Sequence, residues 1–374
     1  MATLLENVTA SEKDFLPLNG TDYIEFYVGN ARQAAYYYRA AFGMKLIAYA
    51  GPETGVRDRA SYVLEQGKVR FVLTTALRSD SEIARHVHKH GDGVRAIALW
   101  VDDAADAWRA TTSRGARSVE PPAELSDEDG RVTMATIAAY GDTLHTFVER
   151  KDYHGTFLPG YQSMPEDMVA RPVGLLHIDH IVGNVGWHAM DEWVDFYSHV
   201  MGFSLYQHFD DNDISTEYSA LMSKVMANAT GYVKFPINEP AEGRRKSQIE
   251  EYLAFYNGPG VQHMALATND ILSTVDKMQK QGVNFLNIPH SYYTQLQDRV
   301  GKIDEPLDEL EHLGILVDRD NEGYMLQIFT RPVEDRPTVF FEIIQRKGSR
   351  SFGKGNFKAL FEAIEREQES RGNL

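Results

Sequence analysis

The sequence predicts an α+β fold of two domains, each made from two paired β-α-β-β-β units. The first observation is length, since 374 residues exceed what one ordinary core holds and suit two domains. The second is an internal repeat, in which residues 37–44 match residues 196–203, and residues 91–99 match residues 258–266. The third is the order of strand-like and helix-like segments, which occurs four times along the chain.

The first half contains two of these units. Asn30 is suited to cap a helix that ends near Phe42, where Gly43 stops it. A second helix is predicted near residues 104–112. Strands are predicted over residues 22–28, 46–50, 60–64, 69–75 and 94–101, near residue 118, and over residues 132–139 and 143–149.

The second half repeats this order after a segment rich in glycine and proline. Residues 151–175 have little periodicity and are predicted to link a first domain, residues 1–150, to a second domain, residues 176–374. Strands are predicted over residues 177–183, near residue 205, and over residues 217–222, 232–235, 261–267, 313–318, 324–329 and 339–344. Helices are predicted over residues 189–200, 270–281 and 356–369, and the last has no counterpart in the first half.

Three strand positions of the second half carry a candidate metal site: His180, His263 and Glu342. The repeat aligns them with three residues of the first half: Tyr23, Ala96 and Thr146. Two histidines and one carboxylate form a facial metal site that leaves other coordination positions open. Thirteen histidines would offer many such triples by chance, but the alignment selects these three. We therefore predict a metal site in the second half and none in the first.

Glu342 is the strongest of the three, because it lies inside the apolar run of residues 339–344. A buried unpaired carboxylate costs several kcal/mol and needs a cation. An arginine or lysine partner is the alternative to a metal. Zinc hydrolases can use the same ligand types, so these residues alone do not select the metal. His177 is an alternative to His180, although the repeat favours His180. The remaining histidine cluster is predicted to be a solvated helix end: His86, His88 and His90.

Composition excludes several other classes of function. A formal net charge of -16 disfavours nucleic acid and acidic membrane surfaces as partners. The absence of cysteine rules out disulfides and cysteine-bound metals, so any metal takes nitrogen or oxygen ligands. The first residues lack a basic and apolar leader, which favours a cytoplasmic location.

Further motifs are concentrated in the second half, at residues 179–184, 235–240, 246–249, 260–263, 326–329, 335–344 and 352–357. In these motifs, and over nearly its whole length, the chain resembles the 4-hydroxyphenylpyruvate dioxygenase family of the vicinal-oxygen-chelate superfamily. The resemblance implies two open, glyoxalase-like β-barrel domains of paired β-α-β-β-β modules, followed by a C-terminal helix.

The resemblance also implies a chemistry. It implies that the three candidate ligands bind Fe(II), and that a 2-oxo acid substrate chelates the metal beside O2. The implied reaction converts 4-hydroxyphenylpyruvate and O2 to homogentisate and CO2, in tyrosine and phenylalanine catabolism. The implied pocket contains Ser223, Asn238, Gln248, Gln262, Gln327, Phe329, Phe340, Phe352 and Phe357. Because Gln262 neighbours His263 on a strand, we expect its side chain to point to the opposite face and to act behind that ligand.

The C-terminal helix is expected to gate access to the pocket, with Phe352 and Asn356 at its start. Two other functions stay open: a 4-hydroxymandelate synthase, which shares fold, iron ligands and substrate, and a non-enzymatic binding protein on the same modules. A homo-oligomer would fit the family.

Overall fold

The structure is a computed structural model that describes residues 14–164, 166–209 and 220–372. The start of the chain and part of the strand predicted over residues 217–222 lie outside the described residues. Within the described part of the chain, no helix is both long and apolar enough to cross a membrane.

The described residues of the first half form one curled sheet of nine strands, with three α-helices and a 3-10 turn at Pro52–Thr54. Its elements, in chain order, are β1 (Gly20–Tyr27), α1 (Ala31–Ala41), β2 (Lys45–Ala50), β3 (Arg59–Gln66), β4 (Val69–Ala76), α2 (Glu82–His90), β5 (Gly93–Trp100), α3 (Ala104–Thr112), β6 (Ser118–Asp127), β7 (Gly130–Ala138), β8 (Leu144–Glu149) and β9 (Gln162–Ser163). The strand order in the sheet is β6-β7-β8-β5-β1-β4-β3-β2-β9.

The second half forms a curled sheet of eight strands in the order β11-β12-β13-β10-β14-β17-β16-β15. Its strands are β10 (Leu175–Asn184), β11 (Ser204–Phe209), β12 (Ala220–Ala227), β13 (Lys234–Ala241), β14 (Gly260–Thr268), β15 (Leu316–Arg319), β16 (Tyr324–Phe329) and β17 (Phe340–Lys347). Its helices are α4 (Met190–Asp195), α5 (Gln248–Tyr256), α6 (Ile271–Lys280), α7 (His290–Thr294), α8 (Leu296–Val300), α9 (Leu307–Leu313) and α10 (Phe357–Ser370). The predicted α+β fold of paired modules is confirmed.

Helix α1 shows how the local sequence sets an element. The Asn30 side chain accepts a hydrogen bond from the Gln33 amide at 3.2 Å, as the capping pattern predicts. Gly43 then adopts a φ of +66°, and a Cβ atom there would lie 2.1 Å from the Arg171 carbonyl oxygen. Only glycine therefore fits between this helix end and the chain that leads into the second half.

Strand register confirms the internal repeat. In the first half, one row of paired residues crosses β1, β5 and β8: Tyr23, Ala98 and Thr146. The same row in the second half crosses β10, β14 and β17: His180, Ala265 and Glu342. The remaining pair of aligned positions lies two residues further along the strands, with His263 opposite Val182 and Ala96 opposite Glu25.

The two halves share one hydrophobic core. Phe341 is fully buried and contacts aromatic rings of the first half, with centroids 4.9 Å away at Phe42 and 5.7 Å away at Phe71. Because neighbours on a strand point to opposite faces, Glu342 faces the barrel interior when Phe341 faces the first half. Burying a phenylalanine stabilises a protein by about 1.5–3 kcal/mol, so this contact anchors the strand that carries Glu342.

The prediction of a solvated helix end was wrong for His86 and His90, although His88 is exposed. The end of α2 packs on α5 of the second half, and the His90 ring stacks on Tyr256 with centroids 4.3 Å apart. His90 Nδ1 donates to the Tyr256 carbonyl at 2.5 Å, and its Nε2 contacts Asp142 at 2.8 Å. Sequence alone did not reveal this contact because its partner lies in the other half.

Two irregular stretches are more ordered than their sequences suggest. The segment predicted as a linker buries Phe157 and Leu158 and adds strand β9 to the edge of the first sheet. Residues 289–308, for which no helix or strand was predicted, contain the short helices α7 and α8.

Candidate metal centre

Three neighbouring strands bring the aligned residues together. His180 on β10, His263 on β14 and Glu342 on β17 offer ligand atoms that all lie within 4.8 Å of one another. Glu342 Oε2 is 3.1 Å from His180 Nε2 and 3.7 Å from His263 Nε2. Both imidazoles thus present the same nitrogen to one carboxylate.

His180 is oriented from behind by its neighbour in sequence. A register shift between Ile178 and His180 makes Asp179 a bulged residue of β10. The bulge lets Asp179 Oδ1 accept a hydrogen bond from His180 Nδ1 at 2.8 Å. Nδ1 therefore carries a proton, and Nε2 is the nitrogen that faces the centre, 3.1 Å from Glu342 Oε2. Burial would lower the pKa of His180, but the charges of Glu342 and Asp179 and their hydrogen bonds outweigh it and raise that pKa.

His263 is held by a neutral group and by two aromatic rings. Its Nδ1 donates to Gln262 Oε1 at 3.0 Å, which again leaves Nε2 toward the centre. The ring stacks on Phe340 with centroids 4.7 Å apart and meets Phe329 edge-on at 5.9 Å. Burial lowers the pKa of His263, and the hydrogen bond that Glu342 accepts, together with its negative charge, opposes this only in part. A neutral imidazole is the form that binds a metal.

Glu342 is 2% exposed, and its Oε1 has no hydrogen-bond partner among the described residues. Neither a lysine nor an arginine of the described part of the chain forms an ion pair with it. Burial would raise the pKa of Glu342, but the charges and hydrogen bonds of His180 and His263 outweigh it and lower that pKa. A buried charged carboxylate with an unused oxygen beside two inward imidazole nitrogens fits a divalent cation.

The three residues line an open cavity, whose empty space of about 590 Å³ includes part of its mouth to solvent. The structure places most of the predicted pocket residues on its wall: Ser223, Asn238, Gln248, Gln262, Phe329, Phe340, Phe352 and Phe357. Gln262 therefore both holds His263 and reaches the cavity. The wall also contains residues that were not predicted to line the pocket: Val182, Phe209, Leu221, Val225, Pro236, Leu360, Phe361 and Ile364.

Two predicted residues do not line this cavity. Gln327 is buried, and its amide lies against the turn at Gly353, where a Cβ atom would come within 2.5 Å of Gln327 Nε2. Asn356 is fully buried and its Oδ1 accepts a hydrogen bond from the Tyr292 hydroxyl at 2.7 Å. The backbone N–H of Asn356 donates to the Gly353 carbonyl at 2.8 Å, so Asn356 anchors the start of α10.

Residues 348–372, which we call the closing segment, cover the cavity. Phe352 meets the His180 ring edge-on, with centroids 4.9 Å apart. Helix α10 then lays Leu360, Phe361 and Ile364 along the cavity wall, at the spacing of one helix face. The closing segment thus contacts the candidate metal ligand His180 and also lines the cavity.

Residues behind His180 were missed by the sequence interpretation. Arg346 donates to both oxygens of Asp179, from Nε at 2.8 Å and from Nη2 at 2.9 Å. Burial would raise the pKa of Asp179, but the hydrogen bonds from His180 and Arg346 hold it well below its usual range. Extending the repeat by four residues could have revealed Arg346, because Arg150 stands four residues after Thr146 just as Arg346 stands four residues after Glu342.

Comparisons with known proteins agree with this architecture. Residues 13–159 match the family model described as "Hydroxyphenylpyruvate dioxygenase, HPPD, N-terminal", and residues 177–328 match "Glyoxalase/Bleomycin resistance protein/Dioxygenase superfamily". A 4-hydroxyphenylpyruvate dioxygenase of Yarrowia lipolytica is 48% identical over 368 residues, which cover 95% of this chain and 93% of the relative. One of Dictyostelium discoideum is 49% identical and covers 96% of this chain and 100% of the relative.

A solved structure extends the comparison to three dimensions. A triple mutant of 4-hydroxymandelate synthase from Streptomyces coelicolor superposes with a TM-score of 0.84 at 33% identity, and covers 94% of this chain and 100% of that one. The dioxygenase relatives are more similar in sequence over the same length. The chain belongs to the 4-hydroxyphenylpyruvate dioxygenase family.

Proposed function

We propose that this protein is an Fe(II)-dependent dioxygenase that converts 4-hydroxyphenylpyruvate and O2 to homogentisate and CO2. The observation that carries the proposal is the convergence of His180, His263 and Glu342 on the wall of a cavity that aromatic rings also line. Relatives named 4-hydroxyphenylpyruvate dioxygenase that match nearly the whole chain support the choice of substrate.

The three residues would hold the iron on one face, through two imidazole nitrogens and one carboxylate. When bound, ferrous iron supplies open coordination positions for the 2-oxo acid and O2, and the electrons that start the oxidation. In the overall reaction one oxygen atom of O2 enters the new carboxylate and the other enters the ring as a hydroxyl. The side chain loses CO2 and moves to the neighbouring ring carbon.

The cavity wall supports an aromatic substrate. Phe329 and Phe340 flank His263, and Phe352 and Phe357 line the same cavity from the closing segment. These rings would exclude water and sandwich the phenol ring of the substrate. Neutral amides and a hydroxyl on the wall would bind the phenol without adding charge beside the metal: Ser223, Asn238, Gln248 and Gln262.

The halves are proposed to divide the work. Residues 1–150 would form a metal-free scaffold, residues 151–175 a connection, and residues 176–374 the catalytic domain, with α10 as its lid. The residues of the first half at the aligned positions, among them Tyr23 and Thr146, are poor ligands for ferrous iron and support this division. We also propose that the protein is a homo-oligomer in the cytoplasm. Light scattering on the purified protein would test the oligomeric state.

The test of the reaction is product identification. Purified protein, loaded with Fe(II) and given 4-hydroxyphenylpyruvate and O2, is expected to release homogentisate and CO2 in equal amounts. The synthase of the same fold would instead give 4-hydroxymandelate, and that product would overturn the proposal. A protein that binds the substrate but turns nothing over after iron loading would point to a binding protein.

A further inference from the structure

We infer that Asp179 and Arg346 are positioning residues that couple the closing segment to the metal ligand His180. Movement of the segment and alignment of the imidazole then become one event. The inference rests on the proposed metal site. We call Asp179, Arg346 and Phe352 the second-half clamp.

The inner side of this clamp holds the ligand. Asp179 Oδ1 accepts from His180 Nδ1 at 2.8 Å and also from Arg346 Nη2 at 2.9 Å. Arg346 Nε binds the second oxygen at 2.8 Å, so the carboxylate is gripped on both sides. The Asp179 side chain is 6% exposed and has little freedom to turn. The direction of the His180 ring therefore depends on where Arg346 lies.

The outer side of the clamp holds the closing segment. Arg346 Nη1 donates to the carbonyl oxygens of Ser351 at 2.6 Å and Ser349 at 3.3 Å. Its guanidinium lies 5.4 Å from the Phe352 ring centre, and Phe352 in turn rests on His180. One guanidinium thus bonds the orienting carboxylate and the first residues of the closing segment at the same time.

The first half contains an equivalent set of contacts among Asp22, Arg150 and Phe157, without a metal ligand. Asp22 is the bulged residue of β1, between Thr21 and Tyr23, just as Asp179 is in β10. Arg150 donates to both oxygens of Asp22, at 2.7 and 2.6 Å, and to the Phe157 carbonyl at 2.5 Å. The Arg150 guanidinium lies 5.7 Å from the Phe157 ring, which meets Tyr23 edge-on at 5.3 Å.

A second basic residue also recurs beside each clamp. Arg70 Nη1 lies 3.4 Å from Asp22, and Lys234 Nζ lies 3.8 Å from Asp179, at aligned places on β4 and β13. We call Asp22, Arg150 and Phe157 the first-half clamp. The first-half clamp forms without any histidine, so these contacts do not depend on a metal ligand. Their role in the fold is to hold the chain that leaves the last strand over the end of the barrel.

The chain beyond each clamp takes a different course in the two halves. In the first half Phe157 is 1% exposed and the chain continues into β9, which seals the sheet edge. In the second half the chain continues into α10 over the cavity, and the bulged carboxylate also holds His180. In the first half the clamp therefore only holds the chain that follows the last strand. In the second half the clamp also holds the candidate metal ligand His180.

Coupling of this kind works in both directions. If the closed segment holds Arg346 against Asp179 and so aligns His180, then a metal bound at His180 must hold the segment closed. Asp320 accepts hydrogen bonds from the Ser349 hydroxyl at 2.6 Å and the Ser351 amide at 2.9 Å, and so anchors the turn independently. A change at Arg346 should therefore loosen the coupling without detaching the segment.

The experiment compares Arg346→Gln with the matched control Arg150→Gln. Full-length proteins are titrated anaerobically with Fe(II), and amide hydrogen exchange of residues 348–372 is followed with and without the metal. In the parent, Fe(II) should slow exchange of the segment by about 5-fold or more. Arg346→Gln should weaken Fe(II) binding by about 10- to 100-fold and lose the added protection even when saturated. Arg150→Gln should lower stability but keep both values within about 2-fold of the parent.

Equal Fe(II) affinity and equal Fe(II)-dependent protection in the two variants would overturn the inference, because both clamps would then only hold the chain in place. A parent that binds no Fe(II) would instead contradict the proposed function. If Arg346→Gln does not fold, Arg346→Lys and Arg150→Lys serve as the pair, since lysine keeps the charge but cannot bond Asp179 and the two carbonyls together. Parent-like affinity and protection in Arg346→Lys would then also overturn the inference.

Discussion

Replacing Glu342 by glutamine separates a metal site from a structural ion pair. Glutamine keeps the size of the side chain and removes its charge. Breaking a structural buried pair costs about 3–5 kcal/mol. In the metal-free protein, however, Glu342 Oε1 has no partner among the described residues, and His180 keeps its bond to Asp179. Glu342 Oε2 lies 3.1 Å from His180 Nε2, and a glutamine amide can still form a hydrogen bond with that nitrogen. We therefore expect metal-free Glu342→Gln to unfold with a free energy within about 1 kcal/mol of the parent.

The metal supplies the measurable contrast. At an Fe(II) concentration of 100 times Kd, binding stabilises the parent by about 2.7 kcal/mol. For a cooperative unit of about 200 residues this raises Tm by about 5–11 °C. If Glu342→Gln weakens binding by at least about 100-fold, the same Fe(II) concentration stabilises it by no more than about 0.4 kcal/mol, and its Tm moves by less than about 2 °C.

Anaerobic thermal unfolding with and without Fe(II), followed by circular dichroism, measures both quantities. Glu25→Gln is the matched control, because Glu25 lies in the barrel of the first half opposite Ala96; its Fe(II)-dependent rise in Tm should equal that of the parent. The reasoning would be refuted if metal-free Glu342→Gln lost about 3–5 kcal/mol and the parent gained no Tm from Fe(II).

Four further predictions concern the lid, the domain contact, a ligand support and acid stability. Truncation after Lys347 should abolish turnover while leaving the first half folded, since it removes the closing segment; normal activity in the truncated protein would exclude a gating role. His90→Ala should leave Fe(II) affinity and kcat unchanged but cost about 1–3 kcal/mol in urea unfolding, because it removes the buried hydrogen bond and the ring stacking between His90 and Tyr256, which join the two halves. Gln262→Ala should weaken Fe(II) binding by about 10- to 100-fold, because the ring of His263 loses its hydrogen-bond partner. An Fe(II) affinity equal to that of the parent, measured by anaerobic titration, would show that Gln262 only lines the cavity. Burial lowers the pKa of His86 to about 3, so the unfolded chain, with a pKa near 6.5, binds a proton that the folded one does not. Stability should therefore fall as pH drops from about 6.5 toward 3, by up to about 1.4 kcal/mol per pH unit, and His86→Phe should flatten this slope; an unchanged slope would contradict the assignment.

The repeat made much of the fold predictable because it constrains register. Once residues 37–44 are aligned with residues 196–203, the places of His180, His263 and Glu342 on their strands are fixed, and strand pairing places them side by side. Alternation along a strand likewise predicted that Gln262 would stand behind a ligand, although its side chain also reaches the cavity.

Other features depend on geometry that a pattern of residue types does not contain. Strict alternation would point Asp179 away from His180, and only the bulge in β10 lets the two side chains bond. The burial of His86 and His90 depends on how α2 meets α5, which is a contact between halves. Gln327 shares a strand face with Phe329, yet the turn at Gly353 covers it and keeps it from the cavity wall.

The most direct test of the central claim is anomalous diffraction at the iron absorption edge, from crystals of the full chain grown anaerobically with Fe(II). We predict one strong peak in contact with His180 Nε2, His263 Nε2 and the carboxylate of Glu342, and none in the barrel of the first half. A peak elsewhere, with these three residues bonded only to one another, would contradict it.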